Sequence, residues 1–512
     1  MSHRSRFLVT TVFVLMVALA GCGQPVTTTA PPTTASITPQ TVAESPAPTK
    51  SITPAAPTST SLPKSDGVPA DVIFYNGVIL TMDSSHPQAQ AIAIQGNKIL
   101  AVGSDTEIMA RNGPKTQLID LAGLTIMPGF IDGHSHLLAF PDRMGKTIDQ
   151  AQEIAIRYGI TSVTEMWANQ GQLDILMEAE KKGTLRMRVN VFPIYNEGSL
   201  NENRQSAIDE TWYPAHKPIL DTDRQLRIPG IKIFVDGDFT PARGCWALSE
   251  PYLPEALASL GCGTNKGDLY LSQNALNRVV AGAQKAGFSV AFHSMGDGAI
   301  EQTLNAIEYA LGGQSNDQFR HMIQHNSLLR PDQLTRYADM DVIASVRGYA
   351  DFCDATTGLA EWGPDRQTWY ANRFAIPGLG THAFIESDFG WTADPANRFA
   401  NRTLDPIVHL YGIVTHRYVG NDGSVCEAAP WVAVHKVSVE RALQMYTIEP
   451  AYAVFMEEVI GSLEPGKYAD LIILSGNPMT VDPNTLKDLK VWMTMINGEV
   501  EYCAAGQEEI CP

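Results

Sequence analysis

The chain is short of cysteine, of positive charge and of nucleotide-binding glycine patterns. Seven cysteines in 512 residues, none in a CxxC spacing, exclude a disulfide scaffold, a zinc ribbon and a redox pair. Lys and Arg number 37 against 55 Asp and Glu, and the formal charge of −18 excludes a sequence-independent grip on phosphate backbones, so no nucleic-acid partner is expected. No GxGxxG or GxxxxGK(S/T) follows any strand-like run, which removes both nucleotide fingerprints. What is there is ordinary globular material, 44 % hydrophobic and 18 % charged. At roughly 100–200 residues per domain its length predicts two or three domains.

Arg4 and Arg6 precede a predominantly apolar run, Phe7–Ala20, of 14 residues, the pattern of an export signal and too short to span a bilayer comfortably. It ends Leu19-Ala20-Gly21-Cys22, which resembles the lipobox of bacterial lipoproteins. That resemblance implies a signal peptide over residues 1–21, lipidation of Cys22, and a protein exported and lipid-anchored to the bacterial cell envelope, on the outer face of a membrane. Loss of two arginines leaves the mature charge at about −20. Between Pro25 and Lys64, 31 of 40 residues are Pro, Thr, Ser or Ala, so residues 22–69 are expected to be an extended tether. Six cysteines remain after Cys22: Cys245, Cys262, Cys353, Cys426, Cys503 and Cys511. They allow fifteen pairings, of which a Cys503–Cys511 closure of the 503–512 tail is expected.

From Ala70 short β-runs begin. Asp71–Tyr75 and Val78–Met82 flank Asn76-Gly77, which predicts a hairpin, and Ala91–Ile94 and Ile99–Val102 predict another. Strand-like runs return at Asp470–Leu474 and Lys490–Tyr502, so residues 70–127 and 458–502 read as one small β-sandwich built from both ends of the chain. Between them, over 128–457, strand-like and helical periodicity alternate eight times. The strands are Thr125–His136, Gly159–Met166, Leu185–Ile194, Gly230–Asp236, Phe288–His293, His321–His325, Asp341–Val346 and Thr381–Asp388. The fold class is therefore α/β, a (β/α)8 TIM barrel, with a doubly wound sheet as the alternative.

In a barrel the C-terminal strand ends converge on one mouth. The first run ends Gly133-His134-Ser135-His136, where alternation sends both imidazoles to one face, spaced for one metal ion. With 12 histidines an HxH arises by chance about 0.3 times, so the other strand ends decide. Lys232 lies on the face opposite Ile231, Ile233 and Val235, where a lone ammonium is expected to lose its proton. Its neutral amine can take up carbon dioxide as a carbamate and bridge two metals; the alternative is a lysine that snorkels out or pairs with Asp236. His293, His325 and Asp388 end the fifth, sixth and eighth strands, completing a metal-site constellation.

These residues, with Pro128 to His136, Lys232 to Gly237, Gly296-Asp297, Ser387-Asp388, Tyr446-Thr447 and the tail Gly461 to Leu471, make the chain resemble the amidohydrolase superfamily of metal-dependent hydrolases, in the branch that includes N-substituted formamide deformylase. The resemblance spans Ala70 to about Tyr502. It implies one or two divalent metals, usually zinc, with His134 and His136 on the more buried ion, carbamylated Lys232 bridging, and His293 and His325 on the second. Asp388 would ligate the first ion and act as general base toward the attacking water.

Departures from that pattern bear on substrate. Only 95 residues separate His136 from Lys232, where relatives carry a long insertion. Arg347-Gly348 stands where Gln-Pro is common, Glu386 replaces a glycine, and Gln324 stands where Glu often precedes the histidine. Arg347 either binds a substrate carboxylate or pairs with Glu386 or Asp351. The expected activity is hydrolysis of a C–N bond in a small amide, N-formyl or N-acyl compound. A deaminase or cyclic amidase, and a non-catalytic binding lipoprotein, are the alternatives. Oligomeric state is not legible.

Overall fold

The computed structural model describes residues 67–196, 208–238, 244–348, 361–390, 403–420 and 423–512. Cys22, residues 22–66 of the tether, Asp351 and Cys353 lie outside them. The first strands are β1 (Val72–Tyr75), β2 (Val78–Leu80), β3 (Gln88–Ala89), β4 (Ala91–Gln95), β5 (Lys98–Gly103), β6 (Gln117–Asp120) and β7 (Thr125–Pro128). A parallel series follows: β8 (Phe130–Ser135), β9 (Ile160–Ala168), β10 (Arg188–Pro193), β11 (Leu226–Arg227), β12 (Gly230–Phe234), β13 (Ser289–Ser294), β14 (Met322–His325), β15 (Ile343–Arg347) and β16 (Ala383–Glu386). A small hairpin, β17 (Arg417–Val419) with β18 (Val425–Glu427), precedes β19 (Leu471–Leu474), β20 (Val491–Ile496) and β21 (Glu499–Cys503).

Strands from both ends of the chain form two mixed sheets, β5-β4-β1-β6 and β21-β20-β19-β7-β2-β3. They share one core in which Phe74, Ile92 and Ile94 of the first meet Ile79, Ile126, Leu471 and Met493 of the second. The hairpin predicted at Asn76-Gly77 is not formed. Asn76 takes the left-handed backbone its amide side chain tolerates, at φ 56°, but β1 pairs with β4 and β6 while β2 pairs with β3 and β7. Phe74 and Ile79 must face the same core from opposite sheets, and a hairpin would put them in one. The hairpins around Gln95–Lys98 and Asn497-Gly498 do form.

The predicted strand Thr125–His136 is two strands. At Gly129, whose N–H donates to Asp470 O at 3.0 Å, the chain leaves the mixed sheet and enters the parallel one. Asp470 also holds the two regions together, accepting from Arg188 Nε at 2.6 Å and from Asn497 N at 2.8 Å. Arg188 and Lys98 further lie over the Tyr468 ring, at 4.0 and 3.1 Å from its centroid. The Lys467 to Leu471 tail signature is thus a structural joint.

The parallel strands make two sheets, β11-β10-β9-β8 and β12-β13-β14-β15-β16. Contacts cross both junctions between them: Ile194 bridges Lys232 in parallel, and the Asp388 N–H donates to His134 O at 2.9 Å. Amphipathic helices connect the strands. Gln273–Ala286, capped at Ser272 and stopped at Gly287, buries Leu276, Val279, Val280 and Ala283. Cys245–Cys262 and Cys503–Cys511 are disulfides, and Cys426 is disulfide-bonded as well. No helix among the described residues is long and apolar enough to cross a membrane.

Candidate metal centre

The strand ends bring His134, His136 and Asp388 together. His134 and His136 share a face through the two-residue period at the end of β8. Gly133, next to His134 in β8, lets Phe384 of β16 approach, since a Cβ there would lie 2.4 Å from the ring. Asp388 follows β16 with a left-handed backbone, φ 50°. Two residues on, Gly390 has φ 94° and would place a Cβ 2.5 Å from His136 O, so only glycine closes this loop against the histidine strand.

The three ligand atoms form a nearly equilateral triangle. His134 Nε2 and His136 Nε2 are 3.3 Å apart, and Asp388 Oδ1 lies 3.4 and 3.1 Å from them. An ion bound tetrahedrally at about 2.0–2.1 Å separates its ligands by about 3.3 Å, so the residues fit a zinc-sized ion. All three are buried. His134 Nδ1 faces Gln324 Oε1 at 2.5 Å; donating there leaves Nε2 bare for a metal.

A second group comprises His134, His325 and Glu386. His325, with φ 74°, places Nδ1 2.6 Å from Glu386 Oε1. The Ser345 hydroxyl contacts Glu386 Oε2 and stands 3.0 Å from Gln324 Oε1. Arg347 bonds Glu386 through Nε at 3.2 Å and Asp388 Oδ2 through Nη2. Of the two partners foreseen for Arg347 within the chain, Glu386 is engaged and Asp351 lies outside the described residues; Asp388 is a further partner. His293 lies beside this group, its ring 4.6 Å from that of His325 and stacked on Phe234 at 4.5 Å, with Nε2 3.4 Å from Gly237 O. Lys232 is fully buried, and its Nζ has no hydrogen-bond partner among the described residues. It does not pair with Asp236, which instead accepts the N–H groups of Ala247, Met295 and Gly296 at 3.0, 3.0 and 2.8 Å.

Electrostatics sort these groups by partner. Burial pushes Lys232 down to about 7, against the pull of Glu386 and Asp388. Burial also lowers His136 to about 4 and His325 to about 3, leaving neutral imidazoles suited to ligation. It would raise the Glu386 and Asp388 carboxyls. For Glu386 the facing His325 and His134 rings reverse this, and for Asp388 Arg347 and the two histidines do, so both stay well below the usual carboxylate range.

Two positioning carboxylates escaped sequence reasoning. Asp132 accepts from the Ser387 hydroxyl at 2.5 Å, and Glu165 accepts the N–H groups of Leu138 and Ala139 at 2.7 and 3.1 Å, fixing the loop after His136. Glu386 was visible only as a departure, although alternation from Asp388 already placed it on the same face. Phe140 and Trp167 stand 6.1 and 6.4 Å from the His136 ring and form an apolar wall.

A family model described as the amidohydrolase family matches residues 138–502. The chain is 22 % identical to N-substituted formamide deformylase of Arthrobacter pascens over 557 aligned residues, covering 85 % of this chain and 99 % of that protein. It is 23 % identical to imidazolonepropionase of Symbiobacterium thermophilum, covering 75 % of this chain and 83 % of that one. Among solved structures, a metal-dependent hydrolase from Pyrococcus horikoshii superposes with a TM-score of 0.63 at 19 % identity, over 80 % of this chain and 99 % of that one.

Proposed function

The chain belongs to the amidohydrolase family, and from that premise we propose that it hydrolyses an amide, N-formyl or N-acyl C–N bond of a small molecule at the mouth of a (β/α)8 barrel. The barrel is supported by the eight parallel strands β8–β10 and β12–β16, the two-residue β11 lying beside β10, with contacts across both sheet junctions. The observation that carries the function is the buried triangle of His134, His136 and Asp388, with edges of 3.1–3.4 Å, whose two imidazoles and carboxylate suit zinc. His293, His325 and a carbamate on Lys232 would hold a second ion, a reading supported by the buried, unpartnered Nζ of Lys232.

The chemistry supplied by a divalent ion there is activation of water at neutral pH and polarisation of a carbonyl. The chain does the rest. Arg347 engages Asp388 Oδ2, which leaves Oδ1 facing the two histidines. From there Asp388 takes a proton from the attacking water and delivers it to the departing nitrogen. Gln324 and Glu386 keep the Nε2 atoms of His134 and His325 unprotonated by accepting at Nδ1.

We place the enzyme outside the cytoplasm, anchored through Cys22. Disulfides at Cys245–Cys262 and Cys503–Cys511 support an oxidising compartment. Palmitate labelling that survives in Cys22→Ser would refute the anchor.

The test of activity is elemental analysis of the purified full chain, followed by a screen of amides, formamides, cyclic ureas and aminopurines with zinc or manganese. Turnover of open-chain amides or formamides, abolished in His136→Ala, is expected. Turnover confined to cyclic ureas or aminopurines transfers the site to a cyclic amidase or deaminase. A protein without bound metal or turnover overturns the proposal.

A further inference from the structure

We propose that Glu386 is a positioning carboxylate of the centre, which accepts from Nδ1 of His325 and thereby turns that ring's Nε2 toward the metal, while its charge lies beside His134. The inference rests on the metal-dependent function above but concerns how the ligands are held, not which bond is cleaved. Glu386 is fully buried at the end of β16, two residues before Asp388. Its Oε1 is 2.6 Å from His325 Nδ1 and its Oε2 3.4 Å from His134 Nδ1. The Ser345 hydroxyl and Arg347 hold the carboxylate itself, the latter at 3.2 Å. It therefore bonds His325 and the arginine that also reaches Asp388, with His134 at ion-pair distance.

Glu386 could instead ligate a second ion directly, but two distances oppose this. At 2.6 Å the Glu386–His325 pair has the length of a charge-assisted hydrogen bond. Two ligands of one tetrahedral ion stand about 3.3 Å apart. The Nδ1 of His134, which direct ligation would also need, already meets Gln324 Oε1 at 2.5 Å. A carboxylate behind an imidazole fixes its tautomer and raises its basicity, and losing one typically costs about 10–100-fold in metal affinity.

The test uses the full chain, stripped of metal and titrated with zinc against a chromophoric chelator. Glu386→Gln keeps the volume and removes the charge, and it should bind zinc about 10–100-fold more weakly. Restoring a negative charge beside His134, from β14, should recover part of this. Gln324 Nε2 has no hydrogen-bond partner among the described residues, so Gln324→Glu in the Glu386→Gln background sacrifices none and presents its oxygen to the same His134 nitrogen and Ser345 hydroxyl. Independently of any variant, 15N-histidine spectra of the metal-free wild type should show His325 and His134 protonated at Nδ1. Zinc affinity in Glu386→Gln within twofold of wild type, a double variant no better than the single one, or a Nε2-protonated His325 overturns the inference. A wild type that binds no zinc defeats the hydrolase function as well, whereas full zinc binding in every variant defeats this inference alone.

Discussion

Replacing Arg347 with methionine isolates the charge balance of the centre. Arg347 engages two carboxylates at once, Glu386 at 3.2 Å and Asp388, and its side chain is 15 % exposed against 0 % and 4 % for theirs. Removing one partner of a buried pair costs about 3–5 kcal/mol because the other charge is left uncompensated. The residual exposure of Arg347 and the histidines that remain argue for the lower end, about 3 kcal/mol. The 404 described residues unfold with an entropy of about 2.1 cal/mol/K each, so metal-free Arg347→Met should melt about 3–4 °C below metal-free wild type. Zinc should close this gap. A divalent ion at the triangle supplies Asp388 with the charge the arginine gave it, and it no longer meets a cation across that carboxylate. The stabilisation gained on saturation should therefore exceed that of wild type by about 3 kcal/mol, equivalent to roughly 100-fold tighter binding. Differential scanning calorimetry with and without zinc, at matched free metal, reads both quantities. Metal-free melting within 1 °C of wild type, or equal zinc increments in the two proteins, refutes the reasoning.

Three further outcomes follow from the same geometry. Asp388→Asn should lower kcat about 10²–10⁴-fold at saturating zinc, since an amide cannot shuttle the proton; turnover within tenfold of wild type would reassign the base. Asp470→Ala leaves Arg188 buried without its carboxylate and should destabilise the metal-free chain by about 3–5 kcal/mol in urea titrations, whereas a loss under 1 kcal/mol would mean that the joint is not held by this pair. Lys232 gives the pH dependence. Its folded pKa, lowered to about 7 by burial, lies below the unfolded value, so between pH 7 and about 10.4 the unfolded chain binds the extra proton. Stability of the metal-free, carbonate-free protein should accordingly rise across that window. In Lys232→Met this component of the slope should vanish, and urea midpoints at pH 7 and 9.5 that rise equally in both proteins would remove it.

Period-two alternation made His134 with His136, and the inward Lys232, legible before any coordinates, because which face a strand residue occupies is decided within a few residues of itself. The eight strand positions were legible for the same reason. Two local signals misled. Asn76-Gly77 has the backbone of a tight turn, yet its flanking strands join different sheets, because Phe74 and Ile79 are needed on opposite walls of one core. Thr125–His136 reads as one apolar run, but the Asp470 carbonyl, far along the chain, captures the Gly129 N–H and divides it.

By itself the sequence determined the alternation of strand and helix, the residue types at the strand ends and hence the class of chemistry. The tertiary structure alone decided which of those side chains meet. His325 and Glu386 are 61 residues apart, and Asp132 and Ser387 are 255 apart, yet each pair is in hydrogen-bond contact. Such meetings depend on the register between neighbouring strands and on the handover from β16 to β8, which no local periodicity encodes. The same register converts Glu386 from a departure in a motif into a buried carboxylate among two histidines and an arginine. It also draws Arg347 onto Asp388, a partner the sequence did not suggest.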